Sequence, residues 1–381
     1  MQVVASIAPR PFNSARFDAQ VEELHRLARA VEAGSPAARA GLQQWLDGVQ
    51  QSDDPRHVGL YVFGAALAQR LEGRTAAQAN LYLRRYERSQ IELFNLLGRA
   101  LPFVGLATTV CNQAIAQACR GARSAVLIDV GIGTGRQMLH LLRTLVAQGL
   151  RQLTLIGIEP AEAALQEAQM QLEQAGRRMG LDLRVLPVLG SVESLEEGQW
   201  ALIRGICAGT SPLINASFAL HHIADDDQGR DQRQFVLQRL HELDPALLVL
   251  AEPDVDHLET ALYPRFRNCF AHFGAVFGTL DRLELTQDER DALKVGFFGR
   301  EIADILGQPE GRRSERHESA SQWLRRLADA GFDVAVDEAA AAVGVARGPV
   351  RLRRRTYHCS LEAGGEPVVA LFCARPQRAV H

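Results

Sequence analysis

Asp129-Val130-Gly131-Ile132-Gly133-Thr134-Gly135 is the stretch whose reading decides the fold. It stands where the apolar run Ala125–Val130 hands over to an amphipathic helix. Three closely spaced glycines let the backbone turn tightly into a helix N-terminus and pass close beneath a ligand. Further along, short apolar and β-branched runs recur at Leu153–Ile158, Leu183–Val188, Leu213–Phe218 and Ala246–Leu250, with amphipathic helical segments between them. Strands that alternate with helices in this way predict βαβ units and a doubly wound, mostly parallel sheet buried on both faces. From about Asp254 to Ala320 the alternation stops and Phe-rich helical stretches intervene. It resumes with the amphipathic Ser321–Ala330, the strand-like Phe332–Val336, and strands near Thr356–Leu361 and Val368–Cys373, the last expected to run antiparallel.

Upstream of the loop the pattern is helical. Phe17, Val21, Leu24, Ala28 and Val31 form one apolar stripe at helical spacing. Ser35-Pro36 reads as an N-cap followed by proline in the first turn of a second helix bearing Leu42, Trp45, Leu46 and Val49. A third helix opens at Asp53-Asp54-Pro55, and a fourth runs from about Ala76 towards Leu97. The expected organisation is a helical cap over 1–104 and an α/β core over 105–381, with a helical insertion at about 254–320.

Composition narrows the function classes. The 381 residues are 47% apolar and 23% charged, which is ordinary globular composition, and the net charge of −3 argues against electrostatic capture of nucleic acid. No apolar run approaches the roughly 20 residues of a membrane span, and Met1–Phe12 holds only a brief apolar stretch, too short for a signal-peptide core. Six scattered cysteines with no C-x-x-C pair indicate neither a cysteine zinc site nor a disulfide framework, so a cytoplasmic chain with reduced thiols is expected and no metal is assigned. Only Lys294 among 42 basic residues is lysine, a bias expected of a GC-rich bacterial genome.

The loop discriminates among nucleotide-like ligands. The dinucleotide fingerprint requires glycine where Arg136 stands, and no G-K-[ST] ending marks a triphosphate loop. The D-x-G-x-G-x-G form resembles class I methyltransferases, in which the loop lies under the methionine part of S-adenosylmethionine. Glu159, at the end of the second strand, is placed to accept ribose hydroxyls. Gly190-Ser191-Val192, after the third strand, falls where such enzymes hold adenine.

Longer blocks carry a second resemblance. Asn112-Gln113-Ala114-Ile115 leading to Val126-Leu127-Ile128-Asp129, then Asn215–His222, then Leu248–Pro253 with Arg265–Phe270, then Gly299–Ile302 and Arg312–His317 with Trp323 follow one another in the order seen in GRAS-domain proteins. The resemblance implies a helical cap on a methyltransferase-like core and, from the plant members, a regulatory role. Those members typically degrade the glycine loop, whereas Gly131, Gly133 and Gly135 are intact here. The family's tryptophan-rich ending is replaced by Val368–Pro376. These departures point towards a bacterial type of the family.

The expected cofactor residues are Asn112, Asp129, Gly131, Gly133, Gly135, Glu159, Ser191 and Asn215. His221 and His222, after strand four, and Glu252, after strand five, are candidate catalytic groups, with His221 the first choice for a base because imidazole titrates near neutrality. Asp254, Tyr263, Arg265 and Arg300 are candidates for substrate contact. The first expectation is an S-adenosylmethionine-dependent methyltransferase acting on a hydroxyl or carboxylate of a small molecule enclosed under the cap. The alternative is a non-catalytic GRAS-type regulatory or ligand-binding protein on the same scaffold. The leucine-bearing N-terminal helices would serve equally to pair two chains as a homodimer or to bury their own core.

Overall fold

The computed structural model describes residues 14–52, 54–72, 90–224, 229–336 and 346–377. The reading of Met1–Phe12 and the first part of the expected fourth helix lie outside the described residues. The chain divides into two compact units, the first drawn from Met1–Phe94, Glu259–Phe270 and Thr286–Arg312 and the second from Asn95–Leu258, Ala271–Leu285 and Arg313–His381. The N-terminal helices thus share a unit with most of the 254–320 segment, and the boundary expected at 104 falls at Phe94.

The first unit is helical. Helices α1 (Ser14–Glu32), α2 (Ala38–Gln50) and α3 (His57–Glu72) bury Leu24, Leu27, Ala28, Trp45, Leu46, Tyr61 and Phe63. The second helix starts at Ala38, after Ser35 and Pro36: the Ser35 carbonyl accepts from Ala38 N at 3.0 Å, and no side chain caps the helix. The chain passes into the second unit within α4 (Gln90–Ala100), and α5 (Pro102–Ala118) belongs to that second unit. The first unit also takes the N-terminal half of α10 (Leu262–Leu280), up to Phe270, and all of α11 (Gln287–Asp291) and α12 (Phe298–Ile302). Two π-helical turns, Ala292–Phe297 and Ala303–Gly307, adjoin α12, and the single lysine, Lys294, is buried in the first. Phe63 meets Phe270 with ring centroids 4.9 Å apart, so this part of the Phe-rich stretch is core.

The second unit is built on one sheet. Its parallel half comprises β1 (Ser124–Val130), β2 (Gln152–Glu159), β3 (Asp182–Leu189), β4 (Leu213–Ser217) and β5 (Leu247–Pro253), with α6 (Arg136–Ala147), α7 (Glu162–Met179), α8 (Glu197–Cys207) and α9 (Gln232–His241) between them. After α13 (Ala320–Asp329) come β6 (Phe332–Val334), β7 (Ala346–Arg347), β8 (Val350–Arg354), β9 (Cys359–Ala363) and β10 (Glu366–Pro376). The strand order is β3-β2-β1-β4-β5-β10-β9-β8-β7, with β6 paired to β10. β10 runs antiparallel to β5, as expected of the last strand, and β7–β9 extend the antiparallel part beyond it. The fold is therefore mixed α/β with a doubly wound parallel half.

One core of this unit gathers Ile128, Ile156, Trp200, Ile214, Leu237, Leu250, Trp323, Phe332 and Phe372, drawn from one face of the sheet and from α8, α9 and α13 that cover it, while Leu127, Leu155, Val249 and Leu371 are buried on the other face. Strands covered on both sides must be apolar throughout, which is why they read as unbroken runs. All six cysteines are buried and none is in a disulfide. No helix among the described residues is long and apolar enough to cross a membrane.

Candidate functional site

β1 ends at Val130, and the chain then turns through Gly131 (φ 74°), Gly133 (φ 53°) and Gly135 (φ 76°), a left-handed conformation that side chains disfavour. The three positions differ. A Cβ on Gly131 would lie 2.9 Å from the Cβ of Ala219, and one on Gly135 would lie 3.0 Å from Leu172 and 3.2 Å from Ala168. At Gly133 a Cβ would meet no atom within 4 Å among the described residues, so this glycine faces open space. Glu159 supports the loop: its Oε2 accepts from Gly133 N at 3.0 Å and its Oε1 from Ala161 N at 3.1 Å.

Asp129 and Asn215 sit opposite each other in the register of β1 and β4, and both are buried. Asn215 Nδ2 donates to Asp129 Oδ1 at 2.7 Å. Gln137, on the first turn of α6, donates to Asn215 Oδ1 at 3.1 Å and to Asn112 Oδ1 at 3.2 Å, while Asn112 donates to the Gln137 carbonyl at 3.3 Å. Ser217 also donates to Asn215 Oδ1, at 3.0 Å. Burial pushes the Asp129 carboxyl up to about 7, the Asn215 donation opposing and the nearby Glu159 charge adding to the shift. Asn112, Asp129 and Asn215, expected at the cofactor, form one network. Gln137 was missed because a glutamine on a helix gives no sequence signal until the fold brings it to the strand ends.

A second cluster stands at the C-terminal ends of β4 and β5. Phe218, at φ 56°, takes a backbone conformation unusual for a bulky residue and is held by its N–H donating to the Ala251 carbonyl at 2.7 Å. The short turn Leu220–His222 follows. His221 Nδ1 lies 2.6 Å from Glu252 Oε2, and Glu252 Oε1 accepts from Leu220 N at 2.8 Å and Ala219 N at 3.2 Å. Burial raises the Glu252 carboxyl to about 7 and lowers His221 well below its usual value, since neither charge is well solvated. Glu315 lies 3.4 Å from His222 Nδ1 and 3.4 Å from His317 Nε2. Burial drives His317 down to about 4 and His272 to about 3. For His222 burial works downward, but the Glu315 carboxylate outweighs it and holds the imidazole above its usual value. Glu315 and His317 were read only as part of an Arg/Glu-rich block, because they lie nearly a hundred residues from His221 in sequence.

The other candidates have their own partners. Ser191 opens the short turn Val192–Ser194 and its carbonyl accepts from the Ser194 hydroxyl at 2.9 Å. Asp254 Oδ1 accepts from Ala320 N at 2.7 Å, capping α13. Within the first unit, Tyr263 OH accepts from Arg29 at 2.6 Å, the buried Arg265 donates to Glu310 at 2.9 Å and to the Glu259 carbonyl at 2.8 Å, and Arg300 is exposed. In the second unit a buried ion pair was not foreseen: Arg233 donates to Glu318 at 2.5 Å, and Arg326 donates to Glu318 at 2.6 Å and Asp231 at 2.5 Å.

The chain is 26% identical over 296 residues to Scarecrow-like protein 1 of Arabidopsis thaliana, covering 74% of this chain and 49% of that protein. It is 27% identical over 254 residues to the GRAS family protein RAD1 of Lotus japonicus, covering 64% and 49%. It thus spans about half the length of these curated relatives. The crystal structure of SCL7 of Oryza sativa superposes with a TM-score of 0.78 at 22% identity, covering 93% of this chain and 99% of that one, and shares the fold. The family model described as the GRAS domain family matches residues 20–359, and the chain belongs to that family.

Proposed function

We propose that this protein is a regulatory or ligand-binding member of the GRAS family, built on a methyltransferase-like scaffold that it uses for recognition and not for chemistry. One observation carries this reading: the polar groups at the strand ends are turned towards one another. Both Glu159 oxygens accept backbone N–H groups of its own neighbourhood, and the buried Asp129 and Asn215 and the half-buried Gln137 and Asn112 hydrogen-bond to one another in one network. Gly131 and Gly135 are required by their left-handed backbone and by packing, so an intact glycine loop does not demand a cofactor. The regulatory role of plant GRAS proteins, which the family resemblance implies, supports the same reading, although a shared fold does not dictate a shared function.

A second reading, S-adenosylmethionine-dependent methyl transfer to a small molecule, is favoured by the open space at Gly133 and by the buried His221–Glu252 pair. The residues fit that cofactor in part: Gly133 would lie beneath it and Glu159 would accept its ribose hydroxyls at the cost of its present N–H partners. S-adenosylmethionine, when bound, supplies an electrophilic methyl group. Glu252 would orient His221 Nδ1, leaving Nε2 to take a proton from the acceptor.

Calorimetric titration of the cofactor-stripped full chain with S-adenosylmethionine and S-adenosylhomocysteine separates the two, with Gly133→Arg and Glu159→Ala as controls. The regulatory reading expects no binding heat from either compound. Micromolar binding abolished by both substitutions would overturn it and establish the second reading.

A further inference from the structure

We propose that His221, Glu315 and His317 form a binding site for a divalent transition-metal ion, with zinc the best-matched occupant. Each of the three offers one donor atom, and these atoms all lie within 4.8 Å of one another. Two imidazoles and a carboxylate make a donor set suited to zinc and its first-row neighbours and poorly suited to magnesium or calcium, which take oxygen ligands. Tetrahedral ligands about 2.0–2.1 Å from zinc are roughly 3.3 Å apart, so modest side-chain rotation would close the set around an ion.

The outer ring nitrogens are already engaged in the manner of metal-bound histidines. Such residues place their second ring nitrogen against a carboxylate or another polar group, which fixes tautomer and ring orientation. His221 Nδ1 lies 2.6 Å from Glu252 Oε2, and two backbone N–H groups hold Glu252 in turn. His317 Nδ1 lies 3.1 Å from His257 Nδ1. Nε2 of each imidazole is left for the site. His317 Nε2 is buried, points towards Glu315 Oε2 at 3.4 Å, and makes no hydrogen bond among the described residues. A buried imidazole nitrogen whose carboxylate neighbour is 3.4 Å away and which makes no well-formed hydrogen bond is poorly satisfied, and a metal ion there would satisfy it.

The segment carrying two of the ligands is anchored on both sides. Glu315 and His317 stand two residues apart in the non-helical stretch before α13, a spacing that turns both side chains to one side of an extended chain. The His317 carbonyl accepts from His257 N at 3.0 Å, and Arg313 donates to the His257 carbonyl at 2.7 Å. Glu318, the next residue, is clamped by Arg233 and Arg326. The Glu315 side chain keeps 15% of its surface in solvent and the neighbouring His222 keeps 56%, which gives an ion a way in. Three protein ligands leave a fourth position for water or an anionic group, the arrangement of zinc sites that bind a ligand. Cysteine spacing, which excludes a thiolate site, has no bearing on this one. The proposal stands apart from the regulatory reading, since zinc binding is measured without any organic ligand.

The test uses the full chain dialysed against a chelator and titrated with zinc chloride by calorimetry, with cobalt(II) chloride in parallel by visible spectroscopy. The expected result is one zinc per chain and an intense four-coordinate cobalt spectrum. His317→Gln and Glu315→Gln should each weaken zinc more than 100-fold and abolish that spectrum. Glu252→Gln, which changes the partner of His221 Nδ1 and not a ligand atom, should weaken it about 10–100-fold. Glu315 is partly exposed, so its variant serves if His317→Gln fails to fold. No zinc binding by the wild-type chain, or unchanged affinity and cobalt spectrum in Glu315→Gln, overturns the assignment.

Discussion

Asn215 Nδ2 donates to Asp129 Oδ1 at 2.7 Å between two residues that face each other in the parallel register of β1 and β4. The bond joins the strand ends that bracket the glycine loop, and it holds a carboxyl whose pKa burial lifts to about 7. A carboxyl raised above its unfolded value near 4 is protonated more readily in the folded chain. Its contribution is fully present below about pH 4 and is lost as pH rises through about 7.

Asp129→Asn should therefore flatten the stability profile between about pH 4 and pH 7. The wild-type chain should lose up to about 4 kcal/mol through this group over the whole titration, at about 1.4 kcal/mol per pKa unit. Urea denaturation at a series of pH values checks this, and parallel profiles for the two proteins would refute it.

The loop glycines should respond in graded fashion. Gly133→Ala pays only the left-handed backbone cost of about 1 kcal/mol, because its Cβ enters open space. Gly135→Ala adds a clash with Leu172 and Ala168 and should cost about 3 kcal/mol. Equal melting temperatures for the two variants would contradict the packing explanation.

Glu318 is the buried centre of a charge network with Arg233 and Arg326. Glu318→Leu alone strands the buried Arg233 guanidinium and should cost about 3–5 kcal/mol. Combining it with Arg233→Met should recover a large part of that loss. A double variant as unstable as the sum of the singles would show that the two residues do not act as a pair.

Asp254 caps α13 through Ala320 N. Asp254→Ala should lower stability by about 1 kcal/mol, the usual worth of a cap, whereas Asp254→Asn keeps an acceptor oxygen and should cost less. Chemical denaturation of both variants measures the difference.

Much of this was legible before any coordinates. The five parallel strands were readable because sheets covered on both faces need continuous apolar runs, and the glycine loop because only glycine accepts three left-handed turns so close together. The family followed from the order of short blocks from Asn112 to Trp323. Asn112, Asp129, Asn215, His221 and Glu252 were singled out by their places around the loop and the strand ends, but that they bond to one another was not.

The tertiary structure decided the rest. Gln137, Glu315, His317 and the Arg233–Glu318 pair carry no local pattern, since each has a partner 25 to 93 residues away in sequence that it meets only when strand ends and connecting segments converge. The grouping of 259–270 and 286–312 with the N-terminal helices is likewise set by packing. Periodicity determines which face of an element is buried, but not what is buried against it; that choice belongs to the whole chain, through the apolar surface it removes from water and the polar groups it must then satisfy.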